Sequence, residues 1–294
     1  MKELKVAVCL FGQPRTGLYC APYIKEGYNL DGHEVELTTL KNGVAEKEPA
    51  KVSVEYFCST KDYNTNGMVV GKTYGEMSPA RQDEIATLLS MYNPVKSKVI
   101  SYDKEPKFNK NLTHNILGWD WPKSFLHGIV SAINLKKEYE LDCGWRYDLC
   151  FCQRFDAITN PVSPASMLIK NVPIRKGVVY SHWITRFTEE DNLLGIGDFW
   201  FGGDSLSMDL MAASLTRYLS NSTRVSSDIN ESTVGVGPNV LLYNAFIENN
   251  VYVDHFPGGV SATPVRPESD LTIPVMESFH SHLNFFKTNH PANQ

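Results

Sequence analysis

The chain has 294 residues, 42% of them hydrophobic, with a formal net charge of −5 and a pI near 5.9. That length suits one large α/β domain with an appended subdomain, and the apolar share is enough for a sizeable core. The acidic balance excludes a protein held on nucleic acid by its overall field, though a local basic cleft stays open, and the apolar run behind Met1 and Lys2 is too short for a signal peptide or membrane span, so a cytosolic protein is expected.

The first predicted element is a strand from Val6 to Gly12, stopped by Gly12-Gln13-Pro14-Arg15. A buried strand thus ends in a turn carrying a fixed cation, and a guanidinium there could pair bidentately with a diphosphate or stack on a base. A possible hairpin over 33–39 precedes a second strand, in which Val52, Val54, Tyr56 and Cys58 alternate with polar residues up to Ser59 and Thr60. Residues 62–75 read as loop. Within them Gly67 to Thr73 resembles a phosphate loop, but three residues separate Gly67 from Gly71 instead of four and no apolar strand leads in. Lys72 stays a candidate phosphate contact on a closing loop.

Ser78 and Pro79 read as the N-cap and first position of a helix carrying Ile85, Leu88, Leu89 and Tyr92 on one face, ended at Asn93 and Pro94. A short strand follows over 98–102. A second helix is expected over 122–140, with Phe125, Leu126, Ile129, Val130 and Ile133 inward. The next strand starts at Tyr147, with Leu149, Phe151 and Gln153 opposite Cys150 and Cys152, and delivers Arg154-Phe155-Asp156 at its carboxyl end. In an open α/β sheet that end is where ligands sit. Asp156 therefore emerges where a phosphate-bound Mg²⁺ or Mn²⁺ could be held, or it merely starts a turn. The alternation of strands and helices reads as a parallel α/β sheet.

In the second half a strand is expected over 177–182. The aromatic segment Asp198 to Gly203 feeds a helix over 205–219, a polar connection fills 221–237, and a helix opening at Gly237 and Pro238 carries Val240, Leu241, Asn244 and Ile247. A strand over 251–255 and an irregular, proline-rich stretch over 257–274 follow. The six cysteines, at 9, 20, 58, 143, 150 and 152, show no Cys-x-x-Cys spacing and read as buried structural thiols.

Five motifs occur in order along the chain: Phe11 to Arg15, Val54 to Thr60, Tyr92-Asn93-Pro94, Tyr147-Asp148 through Asp156, and Gly197 to Gly202. Together they resemble a family of small GT-A-like glycosyltransferases of bacteria, phages and large DNA viruses. The resemblance implies an α/β fold of the GT-A-like (Rossmann-like) kind, with a mixed, mainly parallel sheet flanked by helices. Residues 1–160 would form its nucleotide-sugar-binding half and residues 161–294 its acceptor-binding half and tail. It implies a nucleotide-sugar donor, UDP-linked by preference, held by Gly12, Gln13, Arg15, Arg154, Asp156 and Lys72. It also implies a divalent cation, Mn²⁺ or Mg²⁺, on the family's Asp-x-Asp motif. Here Arg154 replaces the first aspartate, so Asp156 binds the metal alone, binds sugar hydroxyls, or sits in a metal-independent site; His280 and His282 are candidate further ligands.

Asp198 is the first candidate for the catalytic carboxylate and Asp204 the second, although Asp204 also has the look of a helix N-cap. Trp183 and Trp200, with Phe199 and Phe201, are candidates for an acceptor platform, half of them expected in the core. The acceptor would be a hydroxyl of a glycan, lipid-linked sugar or protein. A hydroxymethylated pyrimidine of phage DNA, reached by Lys104, Lys107, Lys110, Arg175 and Lys176, is an alternative. Two further classes stay open: a non-catalytic sugar-nucleotide-binding or virion protein, and a nucleotidyltransferase on the same core.

Overall fold

The computed structural model describes residues 1–14, 16–41, 44–65, 77–101, 121–160, 164–171, 175–182, 184–186, 194–220, 237–256 and 261–264. In chain order they form β1 (Lys2–Gly12), α1 (Gly17–Gly27), β2 (Glu34–Lys41), β3 (Val44–Lys61), β4 (Tyr63–Thr65), β5 (Met77–Pro79), α2 (Gln82–Tyr92), β6 (Lys96–Ile100) and α3 (Trp121–Cys143). Then come β7 (Leu149–Arg154), β8 (Ala157–Asn160), α4 (Pro164–Asn171), β9 (Val178–Ser181), β10 (Ile184–Arg186), β11 (Leu194–Ile196), β12 (Trp200–Asp204), α5 (Ser205–Ser220), α6 (Gly237–Ile247), β13 (Tyr252–His255) and β14 (Ser261–Pro264). Among them no helix is long and apolar enough to cross a membrane.

The main sheet runs β13-β9-β12-β7-β1-β3-β2, with β6 also on β3. β1 is parallel to β3 and β7, β3 to β6, and β9 to β13, whereas β12 is antiparallel to both its neighbours and β2 is antiparallel to β3. The sheet is therefore mixed, as expected, and the parallel arrangement read from the strand–helix alternation of the first half holds for β1, β3, β6 and β7. The four parallel strands of the first half lie β6-β3-β1-β7, so the third, second, first and fourth in chain order are side by side. The order reverses between β1 and β7, and in open α/β sheets such a reversal opens a crevice at the carboxyl ends.

Period-two alternation in the central strands fills two layers. Val6, Val8 and Leu10 of β1, with Leu149 and Phe151 of β7, pack on Cys20 and Ile24 of α1 and Leu88 of α2. Ala7, Cys9 and Phe11, with Cys150 and Cys152, face Ile129 and Ile133 of α3, Met208 and Leu215 of α5, and Phe246 of α6. Each such large side chain contributes about 1.5–3 kcal/mol by leaving water, an upper bound because the unfolded chain already hides part of it. β12 can enter between β7 and β9 only because it carries glycine. A Cβ on Gly202 would strike the Phe151 ring, and one on Gly203 would meet the Val178 carbonyl oxygen.

Several boundaries differ from the sequence reading. Ser78 and Pro79 pair with Tyr63 and Asn64 in the β4–β5 ladder, so they do not cap a helix. α2 begins after Arg81, has no side-chain cap, and places Asp83 and Glu84 in its first turn, where negative charge suits the helix dipole. It ends as expected, with Asn93 left-handed (φ 46°) and its N–H donated to the Leu89 carbonyl. The proline-rich stretch contributes β14, paired with β8. In α6, Leu242, Ala245 and Phe246 are buried, while Ile247 is exposed.

Candidate functional site

The carboxyl edge of the sheet gathers side chains from four separate stretches. β1 ends at Gly12, whose φ of +119° favours glycine, followed by the nearly buried Gln13. β7 ends beside it at Arg154, which is in register with Phe11, and the Phe155 N–H donates to the Phe11 carbonyl at 3.0 Å. Because β12 runs antiparallel, the residues before it, Asp198 and Phe199, return to this same edge, and the Arg154 N–H donates to the Phe199 carbonyl at 3.1 Å. β9 ends at Ser181, which brings His182 to the edge as well.

Arg154 is the hub. Its Nε and Nη2 donate to Oδ1 and Oδ2 of Asp156, both at 2.8 Å, and its Nη1 donates to Oδ2 of Asp198 at 3.1 Å. The guanidinium also lies over the Phe199 ring, 4.9 Å from its centroid. Side-chain exposures of 16% for Arg154, 6% for Asp156 and 19% for Asp198 show that water still reaches the guanidinium and Asp198 but hardly Asp156. Burial alone would lower the Arg154 pKa. The Asp156 charge, then Asp198, outweighs it and the net shift is upward, so the guanidinium stays charged.

His182 stacks on Phe199, ring centroids 5.6 Å apart, and its Nδ1 lies 2.9 Å from the Trp200 carbonyl oxygen. A carbonyl can only accept, so Nδ1 carries the proton and a neutral ring presents Nε2 as a lone pair. Burial lowers the His182 pKa below the ordinary imidazole value, against the opposing pull of that carbonyl and of Asp198, which favours the neutral form. Gly197 lies against the imidazole, and a Cβ there would overlap the ring.

Of the residues singled out from sequence, Arg154, Asp156 and Asp198 come together, with Gly12 and Gln13 on the adjoining strand. Asp204 does not join them. It lies at the other end of β12, in register with Leu149 at the amino end of β7. There it caps α5: Oδ1 accepts the Ser207 N–H at 3.1 Å, while Oδ2 accepts the Ser207 hydroxyl at 2.5 Å and the Gly177 N–H at 2.8 Å. Trp200 is fully buried rather than an acceptor platform, stacked on Phe151 and donating its indole N–H to the Tyr28 hydroxyl at 2.9 Å. Phe201 is buried too, and Phe199 is the aromatic that reaches the site. Arg175 and Lys176 are exposed ahead of β9, at the edge opposite the crevice. Arg15, Lys72, Trp183, His280 and His282, with Lys104, Lys107 and Lys110, lie outside the described residues.

Two residues at this edge escaped the sequence reading. His182 closes the strand expected over 177–182, and the carboxyl-edge argument applied to that strand would have found it. Lys61 ends β3, nearly buried, with Nζ donating to the Ser124 carbonyl at 2.9 Å and the Tyr63 hydroxyl at 3.2 Å. It ties the strand end to the first turns of α3. A lysine after a strand looks like surface, and no sequence signal marks it otherwise.

The donor set for a hard dication is poor as arranged. Both Asp156 oxygens and one Asp198 oxygen are already taken by Arg154, and a dication beside them would sit against a fixed guanidinium. Among the described residues, the one group of three or more ligand atoms close enough to share a cation is Cys9, Cys150 and Cys152, inside an apolar layer and not at this edge. Comparison of the chain with protein-family models and with curated proteins gives no match.

Proposed function

We propose that the protein is a glycosyltransferase of GT-A-like fold that moves a sugar from a nucleotide-sugar donor, UDP-linked by preference, to a hydroxyl acceptor. One observation carries the reading: Gly12-Gln13 and Arg154-Phe155-Asp156 adjoin at the reversal of strand order, with Asp198 reaching the same guanidinium from the antiparallel strand. Ligands occupy that crevice in open α/β sheets. An arginine held in it by two carboxylates is a preorganised donor for a diphosphate leaving group.

In a single displacement the acceptor oxygen bonds to the anomeric carbon as the bond from that carbon to the diphosphate oxygen breaks, and the electron pair leaves on the diphosphate. Arg154 stabilises that charge. Its bidentate bond to Asp156 holds the fork in place, while the single bond from Nη1 to Asp198 is the one a phosphate oxygen exchanges. Asp198, released, takes the acceptor's proton, with the neutral His182 as the adjacent imidazole. In this reading arginine stands in for the Asp-x-Asp-bound cation.

The test is thermal stability of the purified protein with UDP-, GDP-, CMP- and dTDP-sugars, in EDTA and in Mn²⁺, since a ligand of the native state raises stability with the logarithm of its concentration. A shift with one nucleotide class in EDTA, lost in Arg154→Ala, is expected. A shift that needs Mn²⁺ overturns the arginine-for-cation step, and no shift with any nucleotide sugar overturns the function.

A further inference from the structure

Cys9 of β1 and Cys150 and Cys152 of β7 share the apolar layer beneath α3 and α5. Alternation puts Cys150 and Cys152 on one face of β7, and the parallel register sets Cys9 beside Cys152. Cys9 Sγ and Cys150 Sγ are 3.7 Å apart, the three sulfurs lie within 4.8 Å of one another, and all three residues are fully buried. Metal–sulfur bonds of about 2.3 Å in a trigonal arrangement set sulfurs about 4 Å apart, so small rotamer shifts bring the thiols to ligating distance.

We propose that Cys9, Cys150 and Cys152 form a binding site for one soft monovalent cation, Cu(I). Thiolates select soft ions, and structural zinc takes four ligands, whereas no fourth His, Cys, Asp or Glu joins this group among the described residues. The layer also holds Met208 and Met211, which keep it apolar and soft. Each thiol that ligates releases its proton to solvent, and no electron is transferred. The resulting negative charge meets Lys136, fully buried and close enough to Cys150 for the two charges to interact, although its Nζ also pairs with Glu140 at 3.1 Å and Asp209 at 2.8 Å. The site is independent of the glycosyl-transfer reading, because the thiols face into the core and not the carboxyl-edge crevice.

Complete burial closes the thiols to a metal once the chain has folded, so the full-length, reduced protein is refolded without oxygen in one equivalent of Cu(I) and then challenged with bicinchoninate, a coloured Cu(I) chelator. The expected result is one Cu(I) retained per chain and a raised Tm. Cys152→Ser should weaken retention by more than the roughly 10–100-fold that loss of an outer partner causes, whereas Cys143→Ser, at an exposed thiol, should not change it. If Cys152→Ser fails to fold, copper-edge X-ray absorption of the loaded wild type decides, with a shell of sulfur alone expected. Copper stripped from the wild type as readily as from the serine variant, equal retention by both, or a shell containing nitrogen or oxygen overturns the site.

Discussion

Arg154→Met, Asp156→Ala and the double variant test the hub directly. Methionine keeps a stem to pack on Phe199 while removing the fork, so Asp156, 6% exposed, loses a bidentate counter-ion it cannot replace with water. Stranding one partner of a buried pair costs about 3–5 kcal/mol, and the 16% exposure of Arg154 reduces this to about 2–4 kcal/mol. Asp156→Ala should cost less, about 1–3 kcal/mol, because the guanidinium keeps Asp198 and the Phe199 ring. The double variant leaves no buried carboxylate stranded at 156 and should fall short of the sum by about 1–3 kcal/mol, the range for groups in direct contact. Urea denaturation at neutral pH, with m unchanged across the set, gives these differences from the midpoints. Additivity within about 0.5 kcal/mol would mean the two side chains act independently, and the clamp would have to be abandoned as the element that holds Arg154 in place.

Three further outcomes are expected. Trp200→Phe keeps the stack on Phe151 but leaves the Tyr28 hydroxyl without its indole donor, so it should cost about 1–3 kcal/mol in urea denaturation with donor affinity intact; a selective loss of acceptor binding would restore Trp200 to the site. Asp204→Ala removes the α5 cap and should cost about 1–2 kcal/mol with turnover retained per folded molecule, and loss of turnover at unchanged stability would contradict its place at the opposite edge. His182 has a folded pKa below its unfolded value, so the unfolded state takes up the proton first and stability falls as pH drops below about 6.5 until the folded ring also protonates. His182→Gln should flatten that part of the Tm profile, and an unchanged slope would show that the wild-type imidazole is not held neutral.

Which strands exist was legible because each central strand writes its own alternation: Val6 to Gly12 and Leu149 to Arg154 are apolar on both faces, as strands buried between two helix layers must be. The reversal of β12 was not, since a strand's sequence carries no sign of whether its neighbour runs parallel. β12 therefore looked like one more aromatic strand, and its reversal is what returns Asp198 to Arg154 and carries Asp204 away. Trp200 was misplaced for a related reason. Indole on a strand is equally compatible with core and surface, and only the Tyr28 hydroxyl, distant in sequence, supplies the acceptor that makes complete burial tolerable. Cys9 belongs with Cys150 and Cys152 through register, a relation no spacing rule records.

The charge balance of the crevice limits what Arg154 can do alone on the proposed reading. Arg154, Asp156 and Asp198 together carry one net negative charge, and a nucleotide diphosphate adds about two more. At about 4 Å and an effective dielectric near 20, each uncompensated pair of like charges costs on the order of 4 kcal/mol. Transfer of the acceptor's proton to Asp198 relieves one of these repulsions, because the carboxylate is neutralised as the leaving group gains its charge. The remaining deficit calls for a second cation. Arg15, one residue beyond the Gly12-Gln13-Pro14 turn, is the nearest in sequence, and Lys72 is the other candidate. A metal-free enzyme therefore requires Arg15 or Lys72 for donor affinity as strongly as it requires Arg154, whereas an enzyme that borrows Mn²⁺ would tolerate the loss of either.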